Sequence, residues 1–291
     1  MISVKINDEV VSQNLWVFPC GEPAARLDDE FLDMLSSYED SIVEILWYWE
    51  SSEEFFQVAQ IASLFEPYRK IISLVLTMPY IPFARQDRKT SVGDANALKV
   101  FAKMLNSLNF DQVKAIDPHS DVSEMIDRLT YASQAETVKM LSYKYSLAYD
   151  YILAPDAGAL KKVFKVAEAL GMSQDKVLMG FKTRDEKTGE LSYQGVRKCN
   201  GTDIKYYMDK GTSILVVDDL CDGGGTFVLL AKFLQGWCGE EFKLDLYVSH
   251  GRFTKGVDIL KPYYDNIFCA CTSQNFKEDV KALLYIPTKE A

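Results

Sequence analysis

Residues 213–226 read Ser-Ile-Leu-Val-Val-Asp-Asp-Leu-Cys-Asp-Gly-Gly-Gly-Thr, a buried-type apolar run that ends in carboxylates and opens through glycines into an apolar stretch of helical period. Glycine lets backbone approach a ligand closely, and the free N–H groups of a first helical turn supply donors and partial positive charge. Gly223, Gly224, Gly225 and Thr226 therefore suit a phosphate. The paired Asp218 and Asp219 suit the two adjacent hydroxyls of a ribose, since an ionised carboxylate accepts both O–H donors. An ordinary tight turn whose aspartates cap the helix would use the same residue types.

Other chemistry-bearing residues have weaker local signals. Arg85, Arg88 and Lys89 form a basic cluster that also contains Gln86 and Asp87. In an acidic chain this points to recognition, although a solvated helix start is the plain alternative. His119 follows a strand-like run and has Asp117 two residues before it; alone, such a histidine reads as a hydrogen-bonded structural residue. Lys182 and Arg184 lie in a polar stretch, 182–188, whose default reading is a solvated hairpin turn. His250, between Ser249 and Gly251, reads as structural.

The elements that must carry these residues follow from periodicity. Short β-rich apolar runs alternate with longer segments of helical period, the pattern of parallel sheets covered by helices, so the expected class is α/β. In the first half the strands are expected at 15–18, 41–47, 71–78 and 112–116, with helices near 28–36, 52–65 and 95–108. In the second half, strands at 151–154, 176–180, 213–217 and 243–249 flank helices near 158–170, 226–235 and 256–260. A strand-like run opens the chain, and a helix is expected at 275–284. Each half places polar motifs just after apolar strands, where ligands bind in open α/β sheets. With 291 residues the chain suits two domains, and the boundary is expected near 140–150, giving 1–145 and 146–291.

Composition narrows the partners. A net charge of −10, without a dense Lys/Arg stripe, argues against nucleic acid, so any phosphate ligand must be held by local N–H groups, a few placed cations and a metal. The six cysteines show neither CxxC spacing nor disulfide density and fit reduced thiols. No apolar stretch is long enough to span a bilayer, and the expectation is a cytoplasmic protein, neither secreted nor membrane-embedded.

The loop 218–226 resembles the ribose-phosphate loop shared by type I phosphoribosyltransferases and ribose-phosphate pyrophosphokinases, also called phosphoribosyl diphosphate synthetases. The segment 79–89, Pro-Tyr-Ile-Pro-Phe-Ala-Arg-Gln-Asp-Arg-Lys, is similar to a signature of the pyrophosphokinases that the transferases lack. Further similarities follow in order: Phe18-Pro19-Cys20-Gly21-Glu22 to the early nucleotide motif, Asp117-Pro118-His119 to the strand-end Asp-x-His, Pro155-Asp156-Ala157-Gly158 to the metal-binding Pro-Asp-x-Gly, and Lys182-Thr183-Arg184 to the mobile catalytic arm.

The resemblance implies two type I phosphoribosyltransferase-like domains, the first for nucleotide and the second for sugar phosphate. It implies Mg2+-dependent transfer of the β,γ-diphosphate of ATP to the C1 hydroxyl of ribose 5-phosphate, releasing AMP. Phe18, Glu22, Arg85, Gln86 and Asp87 would hold ATP, and His119 and Asp156 would bind Mg2+ with Asp117 nearby. Lys182 and Arg184, with His119, would act in catalysis. Asp218, Asp219, Asp222, Gly223, Gly224, Gly225 and Thr226 would cradle the sugar phosphate. The resemblance also implies a homo-oligomer, a dimer or hexamer. His119 need not be a base, because the C1 hydroxyl is acidic for an alcohol and positioning with electrostatics can suffice.

Three positions depart from the family pattern. Cys20 stands where an aspartate is usual, residues 90–99 lack the usual Arg-x-Pro-Ile-Ser, so phosphate or nucleoside-diphosphate control is not expected, and Gly223 stands where a threonine is usual. The last change removes a hydroxyl and leaves space. It motivates a second acceptor, ADP-ribose, whose diphosphorylation would serve NAD resynthesis. Readings of other classes are a non-catalytic regulatory homologue, disfavoured by the presence of His119, Asp156, Lys182 and Arg184, and a true phosphoribosyltransferase, which would leave 84–89 without purpose.

Overall fold

The computed structural model describes residues 1–35, 40–120, 125–184, 191–202, 210–238, 242–272 and 280–285. The chain divides into two compact units, Met1–Ala132 and Ser133–Ala291. The division falls before the expected boundary, so the helix Gln134–Tyr145 goes with the second unit.

The first unit holds β1 (Ile2–Ile6), β2 (Glu9–Val11), β3 (Gln13–Val17), β4 (Pro23–Leu27), α1 (Asp29–Leu35), β5 (Ser41–Trp47), α2 (Glu54–Leu64), β6 (Ile72–Thr77), α3 (Ala97–Asn106), β7 (Gln112–Ile116) and β8 (Leu129–Ala132). Its main sheet runs β2-β1-β5-β6-β7-β8, parallel from β5 to β8 and antiparallel at β1 and β2. The expected strand at 15–18 exists as β3, but it pairs only with β4, as a separate antiparallel hairpin. Its isolation from the main sheet explains why Trp16, Val17 and Phe18 remain exposed. The core gathers Trp47, Ile45, Leu74 and Leu76 from the sheet and Phe65 from the end cap of α2, with the Phe101 ring of α3 lying 6.2 Å from that of Trp47. Helix α3 starts where Asn96 accepts the Lys99 N–H at 2.8 Å, satisfying one donor of its open first turn.

The second unit holds α4 (Gln134–Tyr145), β9 (Tyr151–Ala154), α5 (Leu160–Ala169), β10 (Val177–Arg184), β11 (Leu191–Lys198), β12 (Ser213–Cys221), α6 (Gly225–Cys238), β13 (Lys243–Gly251), β14 (Asn266–Thr272) and β15 (Lys281–Tyr285). Its sheet runs β11-β10-β9-β12-β13-β14-β15, parallel except for the β10–β11 hairpin. Strands β9, β12 and β13 are buried almost throughout, as the interior of a parallel sheet covered on both faces demands. Helix α4 is fixed by a capping box: the Ser133 hydroxyl accepts the Glu136 N–H and the Glu136 carboxylate accepts the Ser133 N–H.

Two expected helices are corrected. Residues 256–260 form turns, closed by Gly256 at a φ of 77° and by Leu260 N–H donating to Val257 O, too short a run to carry a helix. In place of the C-terminal half of the helix expected at 275–284, Lys281–Tyr285 is a strand pairing in parallel with β14; residues 275–279 lie outside the described residues. Pairing with β14 completes the sheet edge, a tertiary demand that local periodicity did not reveal.

The chain order of β9, β10 and β12 sets the location of the site. From β9 the chain passes to β10 on one side, then returns to β12 on the other. The sheet order therefore reverses between β9 and β12, where Leu153 pairs with Val216. Crevices form beyond the carboxyl ends of strands at such reversals, and those ends carry Asp156 and the 218–226 loop.

Candidate functional site

Asp156 sits one residue beyond the Pro155 that follows β9. Its Oδ1 accepts the N–H groups of Gly158 at 2.8 Å and Ala159 at 3.2 Å, and its Oδ2 is 2.5 Å from Lys182 Nζ. Burial alone would raise the Asp156 carboxyl, but the Lys182 ammonium and the two N–H groups outweigh it and hold the group below its ordinary value. Lys182 and Asp156 therefore meet as a charged pair.

The backbone makes that meeting possible in two ways. A Cβ built on Gly180 would lie 2.7 Å from Pro155 O and 2.8 Å from Tyr193 Cε1, so only glycine lets β10 pass this close to the Asp156 loop. Tyr193 in turn donates its hydroxyl to Pro155 O at 2.9 Å. Just beyond, the β10–β11 register shifts between Phe181 and Lys182: Phe181 faces Gly195 while Lys182 faces Tyr193. Such a bulge leaves one residue out of the ladder and re-aims its neighbours. Sequence reasoning missed Gly180 and Tyr193, whose roles depend on a strand two elements away; the Gly in an otherwise apolar strand was the available signal.

Strand β12 is longer than expected and includes both Asp218 and Asp219. The Asp219 N–H donates to Asp218 Oδ1 at 2.9 Å. Burial, then the neighbouring Asp219 and Asp156 charges, push the Asp218 carboxyl above its ordinary value, against the partial help of the Asp219 N–H and Lys182. Asp218 thus lies near both members of the Asp156–Lys182 pair. The Cys221 thiol is buried and raised to about 12 by burial and by Asp218 and Asp222, which leaves it unreactive.

Beyond Cys221 the chain turns into α6. Gly224 has a φ of 72°, and a Cβ there would stand 3.0 Å from Ile259 Cδ1, so both conformation and packing call for glycine. Gly225 and Thr226 begin α6, with their N–H groups at the open helix end. Asp222 is exposed, and its Oδ1 accepts the Thr254 hydroxyl at 2.8 Å. The expected residues of the second unit, Asp156, Lys182, Asp218, Asp219 and the glycine loop, are thereby gathered at the ends of β9, β10 and β12. Arg184 ends β10, but its side chain lies outside the described residues.

In the first unit the structure brings together 79–87 and 116–120 at the ends of β6 and β7. Ile116 N–H donates to Pro79 O at 2.9 Å, and Ser120 donates its hydroxyl to Asp87 Oδ2 at 2.7 Å. Phe83, at a φ of 63°, tucks its ring against Trp49 and Phe101, so that the chain turns outward and Arg85 and Gln86 are exposed. Asp117 is buried with a φ of 35°, and His119 is exposed. Phe18 and Glu22 close a separate turn on the β3–β4 hairpin, with Phe18 N–H donating to Glu22 O at 2.8 Å and Gly21 at a φ of 92°. Both are exposed. Nothing among the described contacts joins them to Arg85.

No family model matches the chain. It is 26% identical over 268 residues to the ribose-phosphate pyrophosphokinase of Pyrococcus furiosus, a match spanning 87% of this chain and 82% of that one. The ribose-phosphate pyrophosphokinase of Thermococcus kodakarensis is 25% identical over 251 residues, spanning 82% of this chain and 77% of that one. A crystal structure of phosphoribosylpyrophosphate synthetase from Mycobacterium smegmatis has a TM-score of 0.70 at 20% identity, covering 95% of this chain and 87% of that one. The chain thus has the α/β fold of that synthetase, with mostly parallel sheets flanked by helices. It is a relative of the ribose-phosphate pyrophosphokinases, as the order of its motifs implied.

Among the described residues, no three His, Cys, Asp or Glu side chains converge as a preformed metal cage, and no helix is long and apolar enough to cross a membrane. The donor set still suits Mg2+. Asp156, Asp218 and Asp219 are hard oxygen donors at the carboxyl ends of β9 and β12. Magnesium is typically held by one or two carboxylates, with water and substrate phosphates completing its shell.

Proposed function

We propose that the chain is a Mg2+-dependent diphosphokinase that transfers the β,γ-diphosphate of ATP to the C1 hydroxyl of ribose 5-phosphate, giving phosphoribosyl diphosphate and AMP. The observation that carries this reading is the Asp156–Lys182 pair beside the Asp218–Thr226 loop, at the sheet reversal of the second unit. Similarity to pyrophosphokinases across most of the chain supports it.

On this reading Asp218 and Asp219 accept the ribose hydroxyls, and the N–H groups around Gly223, Gly224, Gly225 and Thr226 receive the 5-phosphate. Lys182 exchanges Asp156 for the migrating diphosphate, joined by Arg184, and exposes its charge as negative charge develops in the transition state. Asp156 would hold Mg2+ in the second unit, and His119 with Asp117 are the candidate ligands of the first; the ion would supply charge neutralisation of the transferring phosphoryl groups. Arg85, Gln86 and Asp87, with Phe18 and Glu22, would hold ATP; the Ser120–Asp87 bond keeps that strand-end loop in place. A homo-oligomer working in the cytoplasm belongs to the same proposal.

Gly223 favours a second reading, in which ADP-ribose is the acceptor and the product is ADP-ribose 1-diphosphate. A residue without a side chain here offers no hydroxyl that would select a bare C5 phosphate, and the neighbouring group is the flexible Lys255 stem. Purified protein incubated with ATP, Mg2+ and each acceptor separates the two, with products identified by mass. Turnover of ribose 5-phosphate but not ADP-ribose eliminates the second reading, and the reverse eliminates the first. Failure with both, under conditions where the protein is folded, refutes the proposal.

A further inference from the structure

Gly223 is not demanded by the fold. Its φ is not in the left-handed region, and a Cβ there would meet only the stem of Lys255, with Cδ and Cε at 3.5 Å and Cγ at 3.7 Å, which is ordinary contact. This differs from Gly180 and Gly224, where backbone or packed side chains exclude a Cβ. The space a side chain at 223 would grow into is instead lined by an exposed lysine from the segment after β13.

That segment is tied to the loop. Thr254 N–H donates to Asp222 O at 3.0 Å, the Thr254 hydroxyl donates to Asp222 Oδ1 at 2.8 Å, and Phe253 N–H donates to Cys221 O at 3.1 Å. Residue 255 is thus fixed beside 223 by its neighbours, and the Lys255 stem crosses the glycine. Lys255 has no carboxylate within ion-pair distance among the described residues, so its charge is available to a ligand.

We propose that Lys255 is a specificity-determining residue of the sugar-phosphate loop: its ammonium binds the phosphoryl group on C5 of the acceptor, in place of a side-chain hydroxyl from position 223. The inference deepens the reading above and rests on it. Gly223 and Lys255 act as a pair, since the glycine supplies no hydroxyl and the lysine beside it supplies the donor. An ammonium binds a phosphoryl oxygen as a point charge without demanding one orientation, so it serves a C5 monophosphate and the first phosphate of a C5 diphosphate alike.

The test compares wild type, Lys255→Ala, Lys255→Gln and Lys255→Arg as full-length protein, measuring kcat, the KM of each acceptor and the KM of ATP. Thermal melts establish that each variant is folded. Loss of a hydrogen bond to a charged group predicts that Ala and Gln raise the KM of the productive acceptor about 10- to 100-fold, with the KM of ATP changed by less than about twofold. Arg retains most of the affinity. The acceptor KM of wild type should also climb more steeply with ionic strength than that of the Ala variant. Gly223→Thr in the Lys255→Ala background should recover part of the loss.

A parental acceptor KM in both folded Ala and Gln variants overturns the inference while leaving the functional reading intact. An Arg variant as impaired as Ala also overturns it, since shape and not charge would then be responsible. Wild-type protein that converts neither ribose 5-phosphate nor ADP-ribose removes the functional reading and this inference together.

Discussion

Replacing Gly180 by alanine tests how the second unit brings Lys182 to Asp156. The added Cβ would stand 2.7 Å from Pro155 O and 2.8 Å from Tyr193 Cε1. Comfortable contact is roughly 3.5 Å, so β10 or its neighbours must yield by about 0.7–0.8 Å. Overpacking of a tight site costs about 1–3 kcal/mol, and losing the Tyr193–Pro155 hydrogen bond would add about 1 kcal/mol. A loss of about 2–4 kcal/mol corresponds to a fall in Tm of about 4–16 °C for a unit of this size. Because the displaced strand carries Lys182, a shift approaching 1 Å also predicts a fall in kcat of about 100-fold under conditions where the variant is folded. Calorimetry of the full chain and initial rates of AMP formation read both effects. A Tm within about 1 °C of wild type together with unchanged kcat would show that Gly180 does not set this approach.

Four further perturbations separate stability from chemistry. Lys182→Ala should lower kcat by at least about 100-fold while changing the acceptor KM only a few-fold, because its charge is assigned to the transition state; a raised KM with unchanged kcat would place it in ground-state binding. Tyr193→Phe should lose about 1 kcal/mol in urea unfolding through the bond to Pro155 O, and an unchanged midpoint would refute that role. Asp245→Ala should lose more than about 2 kcal/mol and leave kcat intact, since the fully buried carboxylate accepts Tyr149 Oη at 2.7 Å and Asn266 Nδ2 at 2.9 Å at the amino end of β13, away from the crevice. Asp218→Asn addresses pH: a carboxyl raised above its unfolded value destabilises the fold increasingly as pH climbs from the ordinary carboxylate range through its folded value. In EDTA the wild-type Tm should therefore decline relative to the Asn variant as pH increases, whereas parallel profiles would contradict the shift.

Central strands were the most legible part of the fold. Tyr151–Ala154, buried at every residue, has the expected bounds, as do Gln112–Ile116 and Ser41–Trp47, whose burial alternates along the strand. Elements whose identity depends on distant partners were harder. Strand β15 reads locally as helix until β14 is beside it, and β11 lies partly in a polar stretch that pairs only because β10 precedes it. The turn at 256–260 follows the same logic, since it packs Leu260 and Ile259 against Gly224 instead of extending a helix.

The site was legible in residue type and order, less so in its supports. Asp218, Asp219 and the glycines announce themselves by chemistry and Asp156 and Lys182 by motif order, whereas Gly180, Tyr193, Thr254 and Lys255 matter through contacts with residues far away in sequence. Lys182 illustrates the difference. Its local context reads as a solvated hairpin, and the hairpin exists, but the bulge at Phe181/Lys182 turns that one side chain onto Asp156. A register irregularity of this kind leaves little trace in hydrophobic patterning.

The central claim is that the acceptor attacks the β-phosphorus of ATP, and the fate of a labelled phosphate tests it most directly. With ATP carrying its label on the γ-phosphate, Mg2+ and the productive acceptor, the label should move to the acceptor as part of a diphosphate, with one AMP released per labelled product and no ADP. Label appearing as a monophosphate ester with ADP, or as free phosphate without dependence on the acceptor, would contradict the account.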